Sequence, residues 1–383
     1  MTRPFRWFAV LAAAVGLLAS DPHAQDAGSA AALKAQIERA LSAAPRNYER
    51  LLAPDQAGVR VLDVQASSTS PNSETIAINL SQRALTYEPS GNVEPLTDII
   101  IQATASSVAG KSLVDYRFTI DGLSLDRVLP RAAARMTVRT PALAAGGTVL
   151  VSPGHGVYWD EGSATWHLQR PRIRGIVEDL VNWDIARDVR DELLAANIHA
   201  QMARFPEQDE TPGPSGSPRW QEAATYFIQT LGTPVDVWSF GVDDYARDIN
   251  ARPFYANWID ASALISIHNN GGQETGTETW YDGTNGWQDD SRRLAEIVNR
   301  RVVSAIRARY NANWVDRGLR TCDGCKGETR LASRPAVIVE IAYMDTPAPD
   351  NDALHDDAFK RIVAQAIREA VQEWATAEGD GRR

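Results

Sequence analysis

The sequence predicts an α/β fold, a mostly parallel sheet flanked by helices on both faces and preceded by a small α+β domain. Three observations carry this. First, short, mainly apolar runs at Val149–Val151, Leu264–Ile267 and Val337–Val339 are separated by long stretches with helical spacing, the signature of buried parallel strands alternating with helices. Second, each run ends at a residue able to hold a metal or move a proton: His155 after Pro153-Gly154, His268, and Glu340. Ligands in open α/β sheets gather at the carboxyl ends of strands, so three distant tips can meet in one site. Third, the region from 31 to 135 alternates shorter strand-like runs with turns and contains no histidine, cysteine or tryptophan.

Taken in order, Arg3 and Arg6 precede an apolar run from Trp7 to Leu18, followed by small and polar residues. The run is shorter than the ~20 residues that span a bilayer, so residues 1–24 are read as a signal peptide and the protein as exported, to a periplasm or the extracellular envelope, without a stable membrane anchor. Ala31–Leu41 reads as a helix. Val59–Val64, Thr75–Leu80 and Tyr116–Ile120 read as strands, and Ile99–Ala103 either as a strand or as part of a helix Leu96–Ala109. Beyond 148 the expected elements are a strand to His155, a helix Ile176–Ala196, a strand Ile198–Met202 and a Pro/Gly/Ser-rich surface loop Pro206–Pro218. Then come a short element Val235–Phe240, a helix through Tyr255, the His268 strand, Thr277–Tyr281, a helix Ser291–Tyr310, a loop Asp316–Arg330, the Glu340 strand and a helix Ala353–Trp374. This second domain is placed at 148–377.

With 44% hydrophobic and 23% charged residues the chain is globular, and 39 basic against 49 acidic side chains leave a net charge of −10. No global basic field exists to attract nucleic acid or an anionic membrane. The two cysteines, Cys322 and Cys325, form a Cys-x-x-Cys pair. In an exported protein a disulfide ranks ahead of a structural zinc, which needs two more ligands, and of a redox-active pair, which lacks the usual strand-to-helix setting.

Five segments carry a resemblance: Ser152-Pro153-Gly154-His155-Gly156; Glu178-Asp179-Leu180-Val181-Asn182-Trp183-Asp184-Ile185-Ala186; Arg252 with Tyr255-Ala256-Asn257; Ser266-Ile267-His268-Asn269-Asn270; and Pro335-Ala336-Val337-Ile338-Val339-Glu340. Together, in this order, they resemble the zinc-dependent N-acetylmuramoyl-L-alanine amidases of bacterial cell walls. The resemblance implies that His155, Glu178 and His268 ligate Zn2+, that Glu340 is the catalytic carboxylate, and that the substrate and partner is peptidoglycan, cut between N-acetylmuramic acid and L-alanine. Two histidines and a glutamate with one position left for water is a hydrolytic zinc set. Arg252, Asn270 and Trp166 are candidate substrate contacts.

Two departures stand out. Ser152 occupies a place where the family usually has aspartate, and the His155–Glu178 interval is longer than usual, leaving Asp160, Glu161 or Asp179 as fallback ligands and His167 as a further candidate. Upstream, Ile76–Ser81 with Tyr116–Gly122 resembles the GerMN-type domain of envelope proteins. Aromatic faces suit sugar rings. Trp183 and Trp258, on helices, are expected in the core, whereas Trp159, Trp166 and Trp287 fit either packing or a substrate groove. Two other functions remain open: a zinc carboxypeptidase acting on wall peptides, with Arg252, Arg317 or Arg334 holding a terminal carboxylate, and a non-catalytic wall-binding or activator protein.

Overall fold

The computed structural model describes residues 22–47, 58–85, 93–129 and 146–381. The predicted leader lies outside the described residues up to residue 21. The elements are α1 (Pro22–Asn47), β1 (Val61–Ser70), β2 (Ser73–Leu80), α2 (Glu94–Thr104), β3 (Leu113–Ile120), β4 (Leu123–Ser124) and α3 (Leu125–Val128). After residue 146 follow β5 (Val149–Pro153), β6 (Val157–Asp160), β7 (Thr165–Leu168), β8 (Arg172–Ile173), β9 (Ile176–Val177), α4 (Glu178–Ala195), β10 (Ala200–Met202), α5 (Ala224–Thr230), α6 (Val235–Trp238) and α7 (Asp244–Trp258). The last are β11 (Ala263–Asn270), β12 (Thr277–Tyr281), α8 (Gln288–Arg309), β13 (Asp316–Cys322), α9 (Gly327–Arg330), β14 (Ala336–Tyr343), α10 (Asp352–Leu354) and α11 (Asp357–Gly381).

One sheet runs in the order β1-β2-β3-β13-β12-β14-β11-β5-β10, with β4 on β3. It is mostly parallel; β1 against β2, β12 against β14 and β4 against β3 are antiparallel. The central strands β5, β12 and β14 are buried along their whole length, as expected where helices cover both faces. Side chains alternate across a strand, and this parity organises the molecule. Val149, Val151, Ile265, Ile267, Val337 and Val339 pack with α4, α8 and α11 on one face. Leu150, Leu264 and Ala336 pack with α5, α6 and α7 on the other, where Ile338 and Trp280 join the core built by α1, α2 and β1–β3.

The strands of the region read as a small α+β domain continue the central sheet, since β3 pairs with β13 from Leu113–Leu319 to Tyr116–Cys322. The structure departs from the sequence expectations at two other places. The segment Asp316–Arg330, expected as a loop, contains β13 and α9. Its Arg317 and Arg320 look solvent-seeking in the sequence, yet both are buried around Glu278, at 3.0 and 3.3 Å. Of the two readings of 96–109 the helix holds, with Pro95 in its first turn, where the missing N–H costs nothing. Trp183 is in the core, but Trp258 is 39% exposed, stacked on Tyr255. Cys322 and Cys325 form a disulfide, S–S 2.07 Å, with both residues buried.

Candidate active site

The three strand tips converge. His268 ends the apolar part of β11 and stands in register with Glu340 on β14, and both point to the face opposite α4, α8 and α11 because their even numbers put them there. His155 follows β5 in the left-handed backbone region, φ +64°. Gly154 beside it is required by contact, since a Cβ there would lie 2.3 Å from the His268 ring. Glu178 opens α4 after the extended Val177.

One ligand atom each from His155, Glu178 and His268 lies within 4.8 Å of the others, and all three residues are buried. Glu178 Oε1 is 3.1 Å from His155 Nε2 and 3.4 Å from His268 Nδ1. The remaining ring nitrogens are both engaged. His155 Nδ1 meets Gln169 Oε1 at 3.0 Å, and Gln169 Nε2 donates to Asp248 at 2.8 Å. His268 Nε2 meets Glu328 Oε1 at 3.1 Å. Arg252 closes the chain, donating to Asp248, to Glu328 at 2.8 Å and to the His155 carbonyl at 2.8 Å. Histidines that ligate metals are normally fixed in this way by a partner on the other nitrogen, which sets tautomer and orientation. With two imidazoles, one carboxylate and both outer nitrogens held, the residues fit a divalent metal.

Charge in the site follows from burial and neighbours. Burial and Arg170 lower the His155 pKa to about 4, keeping the ring neutral. Burial alone would raise Glu178, but His155, His268 and Arg170 hold it well below the ordinary value. Burial also opposes charge on His268, yet Glu328, Glu178 and Glu340 raise it to about 10 in the field of these side chains. Glu340 is pushed up to about 8, by burial first and with Glu178 and Glu278 adding to it, while His268 and Lys326 oppose. Its Oε2 is buried without a hydrogen-bond partner among the described residues.

The fallback candidates lie elsewhere. Asp179 accepts backbone N–H groups of Gly156, Gln169 and Arg170 and so ties the loop after His155 to α4. Asp160 and His167 belong to the β6–β7 hairpin, where both contact Ser163, and Glu161 is exposed near Arg247. Ser152 has a buried hydroxyl without a partner among the described residues, and the carboxylate behind His155 is Asp248. Of the three candidate substrate contacts, Asn270 lines the cleft with the four catalytic candidates. Arg252 is fully buried behind the histidines, so it positions them and does not face substrate. Trp166 packs against Trp159 of the hairpin and Tyr226 of α5, outside the set lining the cleft. Gln169, Asp248, Glu328, Arg170 and Lys326 were not singled out from the sequence.

The family model for N-acetylmuramoyl-L-alanine amidase matches residues 149–373, more than half of the chain. The chain belongs to this family. An uncharacterized cell wall amidase of Bacillus anthracis is 30% identical over 138 residues, which cover 34% of this chain and 24% of that protein, so the chain spans about a quarter of this relative's length. Among solved structures, the amidase AmiC2 of Nostoc punctiforme matches with 22% identity and TM-score 0.40, over 60% of this chain and 98% of that one. The amidase Ami1 of Mycobacterium smegmatis matches with 18% identity and TM-score 0.42, over 61% and 98%. The strands and helix α2 of residues 61–124 lie outside the segment matched by the amidase family.

Proposed function

We propose that this chain is an exported, zinc-dependent N-acetylmuramoyl-L-alanine amidase that cuts the amide between N-acetylmuramic acid and L-alanine in peptidoglycan. The observation that carries the proposal is the meeting of His155, Glu178 and His268 in one buried cluster with Glu340 alongside, inside the segment matched by the amidase family. Zinc, when held by these three residues, supplies a Lewis acid that polarises the scissile carbonyl and lowers the pKa of a water to about 7. Glu340 Oε2, buried and unpartnered among the described residues, takes the proton of the attacking water and passes it to the leaving amine. Gln169 and Glu328 hold the two imidazoles in one orientation, and Arg252 keeps both of those partners in place through Asp248 and Glu328.

The carboxypeptidase alternative asks for a cation free to hold a terminal carboxylate. Arg252 is engaged as above, Arg317 pairs with Glu274 and Glu278, and Arg334 is bound to Asn257 and the Ala261 carbonyl. None of the three is available. A non-catalytic wall-binding role leaves the buried, raised Glu340 without a purpose. Export rests on the predicted leader; no helix among the described residues is long and apolar enough to cross a membrane. Product analysis on purified peptidoglycan tests the proposal. New free L-alanine amines without new reducing sugar ends are expected, lost on chelation and restored by zinc. Release of amino acids from the peptide's carboxyl end would overturn it.

A further inference from the structure

Two asparagines follow His268 on β11, and both line the cleft with the four catalytic candidates. The amide of Asn270 is spent inward: its Nδ2 donates to Glu278 Oε1 at 3.0 Å and to the Tyr343 hydroxyl at 3.2 Å, and its Oδ1 accepts the Gly271 N–H at 2.9 Å. Asn269 differs. It is 3% exposed, its backbone N–H donates to Glu178 Oε1 at 3.1 Å and its Nδ2 donates to Asn182 Oδ1 at 2.8 Å, yet its Oδ1 is buried without a partner among the described residues. Which end of this amide is left open follows from Glu178. An ionised carboxylate only accepts, so Asn182 turns its Nδ2 to Glu178 Oε1 at 3.1 Å and to the Gly154 carbonyl at 3.4 Å. Its oxygen then faces Asn269, which presents Nδ2 to it and leaves Oδ1 open.

Of the buried side-chain oxygens that line the cleft, Asn269 Oδ1 and Glu340 Oε2 are the two without a partner among the described residues. They come to it from different directions. The β11–β14 pairing is irregular between His268 and Asn270, and Asn269, held there, reaches the first turns of α4, whereas Glu340 shares the other face of the sheet with His268. A buried acceptor costs desolvation energy unless a donor meets it. The reaction proposed above brings one. A secondary amide carries a C=O and, pointing the opposite way, an N–H, and Glu340, which has to take and return a proton, is not free to hold that N–H. Asn269 is one hydrogen bond from the Glu178 oxygen that faces both histidines, hence beside the reacting group.

Resting on the amidase reading above, we infer that Asn269 Oδ1 accepts the N–H of the scissile amide and holds it while the C–N bond breaks. The water oxygen bonds to the carbonyl carbon, the C–N electron pair stays on nitrogen, and that pair takes the proton carried by Glu340. The N–H held by Asn269 is not broken; holding it turns the nitrogen lone pair toward Glu340. An ester lacks this N–H, and that supplies the test. The full, zinc-loaded chain is assayed on an N-acetylmuramoyl-L-alanyl peptide and on the matched ester with L-lactate in place of L-alanine. Asn269→Leu and Asn269→Ala are expected to lower kcat/KM for the amide by about tenfold, the worth of one hydrogen bond, and to leave ester hydrolysis and zinc content near those of the parent. Variants that slow both substrates alike, as a merely structural role would, or slow neither, overturn the inference. A second readout needs no variant. A phosphonamidate analogue of the linkage carries the N–H, the matched phosphonate has an oxygen in its place, and the parent is expected to bind the former more tightly by a similar factor. Equal affinity overturns the role of Asn269. A zinc-loaded parent that leaves the amide uncut fails the amidase reading itself, and the inference with it.

Discussion

Residues that alternate along β11 and β14 do different work. Ile265, Ile267, Val337 and Val339 face α4, α8 and α11 in an apolar core, while Ser266, His268 and Glu340 lie on the opposite face, where Ser266 and His268 meet Glu328 of α9 and His268 and Glu340 line a cleft walled by α2. All seven residues are buried. What separates them is how burial is compensated. On the first face burial is itself the stabilising term. On the second, polar groups leave water and must be repaid by partners: Ser266 and His268 through Glu328, and Glu328 in turn through Arg252. Of Ser266, His268 and Glu340, Glu340 alone keeps an oxygen unpartnered among the described residues. A buried acceptor left open in a cleft is a group set aside for substrate or water.

The comparison breaks most severely if the second face can lose a histidine without loss of function. His155→Ala or His268→Ala removes one of three ligands gathered from segments far apart in sequence, so bound zinc and nearly all amide hydrolysis are expected to disappear. Metal analysis beside an activity assay checks this, and a variant with full zinc and full turnover would overturn the ligand set. Next in size is Glu340→Gln, which keeps shape and leaves the three ligands in place. Zinc should stay, and turnover should fall by roughly 10² to 10⁴-fold, the usual contribution of a positioned acid/base group. A base must be ionised to act, so activity of the parent is lost as pH falls through the pKa of this carboxyl, which burial has raised. The Gln variant should lose that limb of the pH profile.

The first face and the candidate residues His268 and Glu340 on the second were legible in the sequence, because an apolar run and the histidine or glutamate that ends it are local signals; Glu178 came only from the resemblance. The partners behind the candidate ligands were not. Glu328 is 60 residues from His268, and Asp248 is 79 residues from Gln169, so no spacing rule joins them. Arg252 was visible, but as a charged residue beside a motif it read as a substrate contact, and only its burial shows that it holds Asp248 and Glu328. Strand β13 was hidden for the same reason. Arg317 and Arg320 fall in the expected loop, and it is Glu278, roughly forty residues away in sequence, that neutralises them inside a buried strand.

Those long-range partners supply the next test. Glu328→Gln keeps size but removes the charge facing His268 and Arg252, and zinc affinity is expected to weaken by about 10 to 100-fold, as for other residues that orient ligands. Competition with a chelator of known affinity measures it, with the loss in activity recovered at high zinc. An unchanged affinity would mean that the charge on Glu328 does not orient His268.

The smallest effect on activity is expected where the stability effect is large, and this pair of neighbours sharpens the comparison most. Ile265→Ala deletes a fully buried side chain from the apolar face and should cost about 2 to 5 kcal/mol through lost transfer energy and the cavity left behind. Ser266→Ala, one residue on, removes a single hydrogen bond to Glu328 and should cost only about 0.5 to 1.5 kcal/mol. Denaturant midpoints should therefore fall further for Ile265→Ala. Zinc affinity should move the other way, falling for Ser266→Ala because Glu328 loses a restraint, and staying near the parent value for Ile265→Ala, whose cavity opens toward α4 and α11. If Ile265→Ala lowered zinc affinity as much as Ser266→Ala, the two faces would be coupled through the strand itself, and the division of labour drawn from side-chain parity would not hold.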